Sequence, residues 1–242
     1  MKEGIPIPAP TTAIVLTLVF IVFASVVLGI DGLLRSSPSN AVSPVQASAV
    51  VVGGRANMGM AVNVPGSVLT PHEIAHMRYM REEEKLARDA YLVLANRWGI
   101  PAFGKIAQAE QRHMDAVLGL LTRYRIPDPS AGMDAGQFID PNLSSLYATL
   151  MRRGAISPID AIQVGGLIEE VDIADLEFAV SSTSRADIIR VYENIHRGSR
   201  NHLRAFAGLS AQYGLVYQPQ KLSPIEVQAI LSSPMENGPP QW

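Results

Sequence analysis

The run Phe103-Gly104-Lys105-Ile106-Ala107-Gln108-Ala109-Glu110-Gln111-Arg112-His113-Met114-Asp115-Ala116-Val117-Leu118 carries a Glu-x-x-His at helical spacing, Glu110 and His113. Residues three apart on an α-helix share a face, so the carboxylate and the imidazole converge on one point. The apolar stripe Phe103, Ile106, Val117, Leu120 and Tyr124 passes through both at helical period, which turns the pair inward. A carboxylate buried without a charged partner is costly. A metal ion would meet it, provided the chain supplies further ligands.

Working outward, this helix spans about Pro101 to Tyr124. Upstream, Thr70-Pro71-His72-Glu73 reads as a capping box with Pro at the first helical position. The helix it starts runs to about Arg97 and stops at Trp98-Gly99-Ile100-Pro101, a break so short that the next helix must fold back antiparallel. Downstream comes a long connection through Gly132, Gly136 and Pro141, with one small helix at about Asn142 to Arg153. Ser157-Pro158-Ile159-Asp160 then caps a helix reaching about Val180. After the tight turn Ser181 to Ser184, the stretch Ser184-Arg185-Ala186-Asp187 caps another, which reaches about Tyr213. A last short helix lies in Ser223 to Leu231, before a Pro/Gly end expected to be disordered over 232–242. The fold class is all-α: two antiparallel hairpins joined by one long crossover, the connectivity of a ferritin-like four-helix bundle over 69–231.

In such carboxylate bundles one helix of each hairpin gives a Glu and the other a Glu-x-x-His. On the first helix the stripe Met77, Met80, Ala87, Tyr91, Leu94 and Trp98 passes through Glu84. Glu82 and Glu83 read as a solvated face paired with Arg81, Lys85 and Arg88. On the third long helix the stripe Ile162, Gly166, Ile173, Leu176 and Val180 contains Glu169, while Glu170 falls with Gln163 and Glu177 on a polar face. Asp172, one turn after Glu169, is a further ligand or an acceptor beside one. Gly165-Gly166 inside a helix costs about 1 kcal/mol per Gly, so close packing is expected there. On the fourth helix Ile188, Tyr192, Ile195, Ser199, His202, Phe206 and Leu209 turn His202 inward, with Ser199 where the pattern would have Glu. Glu193-x-x-His196 lies beside that stripe, and His196 is turned too far from His202 to act with it. The candidate ligands are Glu84, Glu110, His113, Glu169 and His202, with Asp172 in reserve, and Glu110 and Glu169 as bridges between two metals. One imidazole per metal among carboxylates suits iron, or manganese, better than zinc or copper.

The 242 residues hold 20 Lys and Arg against 22 Asp and Glu, which gives no reason to expect nucleic acid as a partner. The chain has no cysteine, which excludes thiolate zinc, iron–sulfur and rubredoxin-type sites within it. Residues 1–32 contain the uncharged run Ala13 to Ile30, long enough to cross a bilayer as a helix. An uncleaved membrane anchor with the folded domain outside is the expectation. A signal peptide cleaved near Val27-Leu28-Gly29, giving a secreted protein, is the alternative. Residues 33–68, rich in Ser, Pro, Gly, Ala and Val, read as a flexible tether.

Glu84-x-x-Ala87-x-x-x-Tyr91 and Glu110-x-x-His113 resemble the first half of rubrerythrin-type di-iron domains, and Glu169-x-x-Asp172 resembles their third helix. Arg81 to Tyr91, Gly166 to Leu176 (GLIEEVDIADL) and Gly198 to Phe206 (GSRNHLRAF) are similar to the domain of unknown function 2202, over about Leu69 to Leu231. The resemblance implies a ferritin-like fold and a di-iron site but assigns no reaction; redox chemistry on peroxide or oxygen, with electrons from an external donor, is the leading expectation. Under it Tyr91 would donate a hydrogen bond to a ligand carboxylate, Ser199 in place of a carboxylate would leave an open position, a weaker second metal or only one metal, and a homodimer is one assembly to consider. A metal-binding module without turnover and a structural bundle at the cell surface are the rival readings.

Overall fold

The computed structural model describes residues 68–238. Among them are six helices and no strand: α1 Pro71–Trp98, α2 Pro101–Arg123, α3 Pro141–Gly154, α4 Pro158–Ser181, α5 Ala186–Gln212 and α6 Pro224–Ser232. The apolar run at 13–30 and the tether to residue 67 lie outside the described residues. Within those, no helix is long and apolar enough to cross a membrane.

The caps do most of the punctuation. Thr70 and Glu73 form the reciprocal capping box that starts α1, and Gly99, at φ 64°, ends it in the left-handed conformation that favours glycine. Two residues later α2 begins on Pro101 and packs back along α1. Ser157 accepts the Asp160 N–H and starts α4. At α5 the structure differs from the sequence reading. Arg185, not Ser184, is the capping residue, and its side chain makes no cap bond. Thr183 holds the turn instead: its hydroxyl accepts the Arg185 N–H and donates to Glu73 at the start of α1.

Cross-links between helices give their directions. Tyr79 of α1 reaches Asp175 near the end of α4, and Tyr91, further along α1, reaches Gly165 near its beginning. Arg123 and Tyr124, at the end of α2, meet Asp187 at the start of α5. Glu84 and Arg88 of α1 meet His113 and Gln111 of α2, and Gln163 and Asp172 of α4 meet Ser210 and Ser199 of α5, so both pairs are antiparallel hairpins. They stack with α1 on α4 and α2 on α5, around a core that includes Met77, Met80, Leu121, Leu176 and Tyr192. The Gly165-Gly166 expectation holds. A Cβ on Gly165 would come within 2.3 Å of the Phe206 ring, and one on Gly166 within 2.3 Å of the Tyr217 hydroxyl.

The crossover covers a face of α1 that the sequence reading left to solvent. Asp128 takes both hydrogen bonds of the Arg81 guanidinium, at 3.1 and 3.0 Å. Glu82 is buried and accepts the Ile139 N–H. Lys85 is buried between Asp89, at 2.6 Å, and the Asp134 carbonyl, at 2.7 Å. Glu82 and Glu83 are thus not a solvated face, and the basic residues beside them pair elsewhere. Glu170, expected on a polar face, is wholly buried because the chain after α5 folds over α4. Its carboxylate accepts the Tyr217 hydroxyl and the N–H groups of Gln220, Lys221 and Leu222. Further on, Glu236 accepts from Arg200 and Arg204, which docks the chain after α6 against α5.

Candidate metal centre

Helical period alone brings Glu84, Glu110, Glu169 and His202 to the middle of the bundle from four different helices, with His113 one turn after Glu110. Glu110 stands at the centre. Its Oε2 lies 2.7 Å from His113 Nδ1, and its Oε1 lies 2.8 Å from His202 Nδ1. A second carboxylate backs each imidazole: Glu84 Oε2 is 3.3 Å from His113 Nδ1, and Glu169 Oε2 is 3.4 Å from His202 Nδ1. The result is two triads, Glu84–Glu110–His113 and Glu169–Glu110–His202, each close enough to hold one ion. Two donors each about 2.1 Å from one ion and at right angles to it lie about 3 Å apart, so these spacings fit.

Glu110 is shared by both triads, whereas Glu169 belongs to one, so only Glu110 takes the bridging place expected of both. Asp172 joins neither triad. It is buried, and the Ser199 hydroxyl donates to its Oδ2. Ser199, standing where a Glu was expected, thus holds a carboxylate supplied by α4. Tyr91 is fully buried and its hydroxyl donates to Glu169 Oε1. His196 faces Glu177, away from the centre. Gly198 makes room for the His113 ring, since a Cβ there would come within 2.7 Å of its Nε2.

Sequence reasoning missed the acids beside this set. Glu83 is buried, faces Asp175 across the α1–α4 contact, and meets no protein donor at either oxygen. Glu84 Oε1 and Asp172 Oδ1 likewise lack a donor. Arg81 and Lys85, the buried cations of α1, pair with Asp128 and Asp89 instead. The signal was the length of the acid run, which the stripe assignment divided too sharply.

The titration behaviour follows. Burial pushes Glu84 up to about 7, against the pull of His113. Burial also raises Glu169, and raises Asp172 strongly, with Glu84 and Glu169 adding repulsion to the latter. Glu110 moves the other way: burial opposes its charge, but His113 and His202 together hold it well below the usual carboxylate range. His202 is raised to about 9 and His113 also rises, because Glu110 and its neighbours outweigh burial. Without metal, the two imidazolium ions supply the positive charge between the carboxylates.

A small cavity of about 20 Å³ opens onto Glu84 and Asp172 between α1, α3 and α4, walled by Leu86, Ala87, Leu150, Leu167 and Ile168. That is room for about one water-sized molecule.

The uncharacterised protein MJ0754 of Methanocaldococcus jannaschii is 46% identical over 176 residues, which cover 73% of this chain and 95% of that protein. The crystal structure of that archaeal protein superposes with a TM-score of 0.69, covering 72% of this chain and 99% of the other. The model of the uncharacterised protein domain DUF2202 matches residues 73–234, the stretch that contains both triads, and the chain belongs to that family.

Proposed function

We propose that this chain is a ferritin-like di-metal protein, tethered to a membrane through residues 13–30, that holds two iron ions and carries out redox chemistry on peroxide or oxygen. Manganese is the alternative metal. The observation that carries the reading is the arrangement at Glu110, whose two oxygens each face the Nδ1 of a histidine on a different helix. The hairpin–crossover–hairpin order supports a ferritin-like bundle. The charges support two divalent ions, because Glu84, Glu110, Glu169 and Asp172 together match them, and Arg81 and Lys85, the buried cations of α1, pair with Asp128 and Asp89 instead.

Bound iron would supply reversible one-electron changes, two per pair. The chain's own residues do the rest. Glu84, Glu110 and Glu169 would hold the ions and neutralise their charge, and His113 and His202 would bind as neutral imidazoles after releasing a proton. Tyr91 fixes the orientation of Glu169, and Ser199 fixes that of Asp172. The aliphatic wall of α1, α3 and α4 keeps bulk water from the Glu84 side, with space for a molecule no larger than a small oxidant. Having no cysteine, the chain takes electrons from an external donor.

The test is elemental analysis of full-length protein produced with iron: about two metals per chain are expected, and fewer than about one overturns the reading. Anaerobic ferrous loading followed by peroxide then measures turnover. Repeated reoxidation is expected with a reductant present, and a single stoichiometric oxidation reduces the protein to a binding module.

A further inference from the structure

About 12 Å along α1 from Glu84, the first turns read His72-Glu73-Ile74-Ala75-His76, a His-Glu-x-x-His on a helix. In zinc peptidases this run puts two imidazoles on one face and leaves the Glu as general base. Glu73 cannot serve that way here. It accepts the Thr70 N–H at 2.8 Å and the Thr183 hydroxyl at 2.7 Å, and pairs with Arg185 at 3.2 Å. Among the described residues no third His or carboxylate stands near enough to complete a triad with the two histidines. A peptidase centre is therefore excluded, but the imidazole pair remains.

The His72 and His76 rings lie with centroids 4.4 Å apart, and both pack on the half-exposed ring of Phe178, at 5.9 and 5.2 Å. His72 is exposed, while His76 is partly covered and its Nδ1 is buried without a protein partner. Burial, and then the neighbouring His72, hold His76 down to about 4, so at neutral pH it keeps a free lone pair. Both histidines line a cavity of about 10 Å³ together with Tyr192, which is 1% exposed and whose hydroxyl has no protein partner. Two imidazoles one turn apart and a buried hydroxyl thus line a space the size of one water.

We propose that His72 and His76 bind a divalent late transition ion of the zinc or copper kind, at a site separate from the carboxylate centre, with the Tyr192 hydroxyl bonded to a water on that ion. Imidazole donors favour these ions over iron and manganese, whereas the oxygen-rich centre favours the reverse, so the two sites sort metals by donor type. Phe178 screens one side of the pair. With only two protein ligands, the remaining positions face solvent on the side of the exposed His72, and the ion exchanges readily.

The test is a zinc titration of the full-length chain carrying Glu110→Ala, His113→Ala and His202→Ala, which silences the carboxylate centre. One zinc per chain is expected, weakened at least about tenfold by His72→Gln or His76→Gln. No zinc uptake, or uptake indifferent to both changes, overturns the site. Should the silenced chain not fold, copper added to the wild-type chain keeps the question open to measurement. Electron paramagnetic resonance should then show a two-nitrogen copper signal that His72→Gln, an exposed position, removes. A copper spectrum unchanged by His72→Gln overturns the proposal, whatever the metal content of the carboxylate centre.

Discussion

Glu169 and Glu170 are neighbours on α4, identical in chemistry and equally buried, at 1% and 0% exposure, yet they belong to two different regions of the molecule. Glu170 faces the chain that folds over α4 and receives donors at both oxygens, from one hydroxyl and three successive backbone N–H groups. Glu169 faces the bundle centre, where Tyr91 and His202 are its donors and Glu110 and Asp172 crowd it with negative charge. Burial of a carboxylate therefore does not mark a functional centre. What marks it is an excess of acceptors that the protein itself leaves without donors, as at Glu83, Glu84 and Asp172.

The contrast can be broken most sharply at Glu110, the residue common to both triads. Glu110→Ala should take metal from about two per chain to near zero, while His202→Ala should remove about one, and Glu170→Ala none. Elemental analysis decides, and full metal content in Glu110→Ala would sink the bridging role. Glu170→Ala should instead cost about 3 kcal/mol, because it strips the acceptor from several buried donors at once. A denaturant midpoint measures this. A loss under about 1 kcal/mol would mean that apolar contacts of Tyr217 and Val227 hold the segment without the carboxylate.

The pH dependence of the metal-free protein sharpens the comparison further. Glu84 is raised from 4.5 to about 7 and His202 from 6.5 to about 9. Both bind their protons more tightly when folded. Their stabilisation is present below the unfolded values and is lost as pH rises, through about 7 for Glu84 and about 9 for His202. Glu110, held low, has the opposite sign, and its share is lost only on acidification below its unfolded value of 4.5. The thermal midpoint of the metal-free protein should therefore fall between pH 5 and pH 9, measured by circular dichroism across that range. Metal loading should remove the slope, because the ions replace the protons. A metal-free midpoint that rises with pH would show that the buried acids ionise without cost. Tyr91→Phe should have the smallest effect, about 1 kcal/mol of stability and about tenfold in affinity at the triad holding Glu169. Equal weakening of both ions would count against its acting through that carboxylate alone.

Helical period in the sequence located Glu84, Glu110, His113, Glu169 and His202, because an inward stripe at 3.6 residues per turn orients a side chain whatever its partners are. It misjudged Glu83 by drawing the inward stripe too narrow, and Glu82 and Glu170 for another reason. A helical wheel says which way a side chain points but not what lies over that face. The crossover puts the Ile139 N–H on Glu82, and the chain after α5 puts Tyr217 and three N–H groups on Glu170. Asp172 was placed near the centre but not assigned a partner, since Ser199 comes from another helix.

By itself, then, the sequence determined the helices, their caps other than that of α5, the hairpin order and the five inward residues Glu84, Glu110, His113, Glu169 and His202, through signals carried within a few residues of chain. Only the tertiary structure decided that Glu110 alone is shared, that Ser199 orients Asp172, and that one of two adjacent buried carboxylates is closed by the protein's own donors. Those outcomes depend on which group from a distant segment reaches each oxygen, and hydrogen bonds and ion pairs form across space at distances that spacing along one helix does not specify.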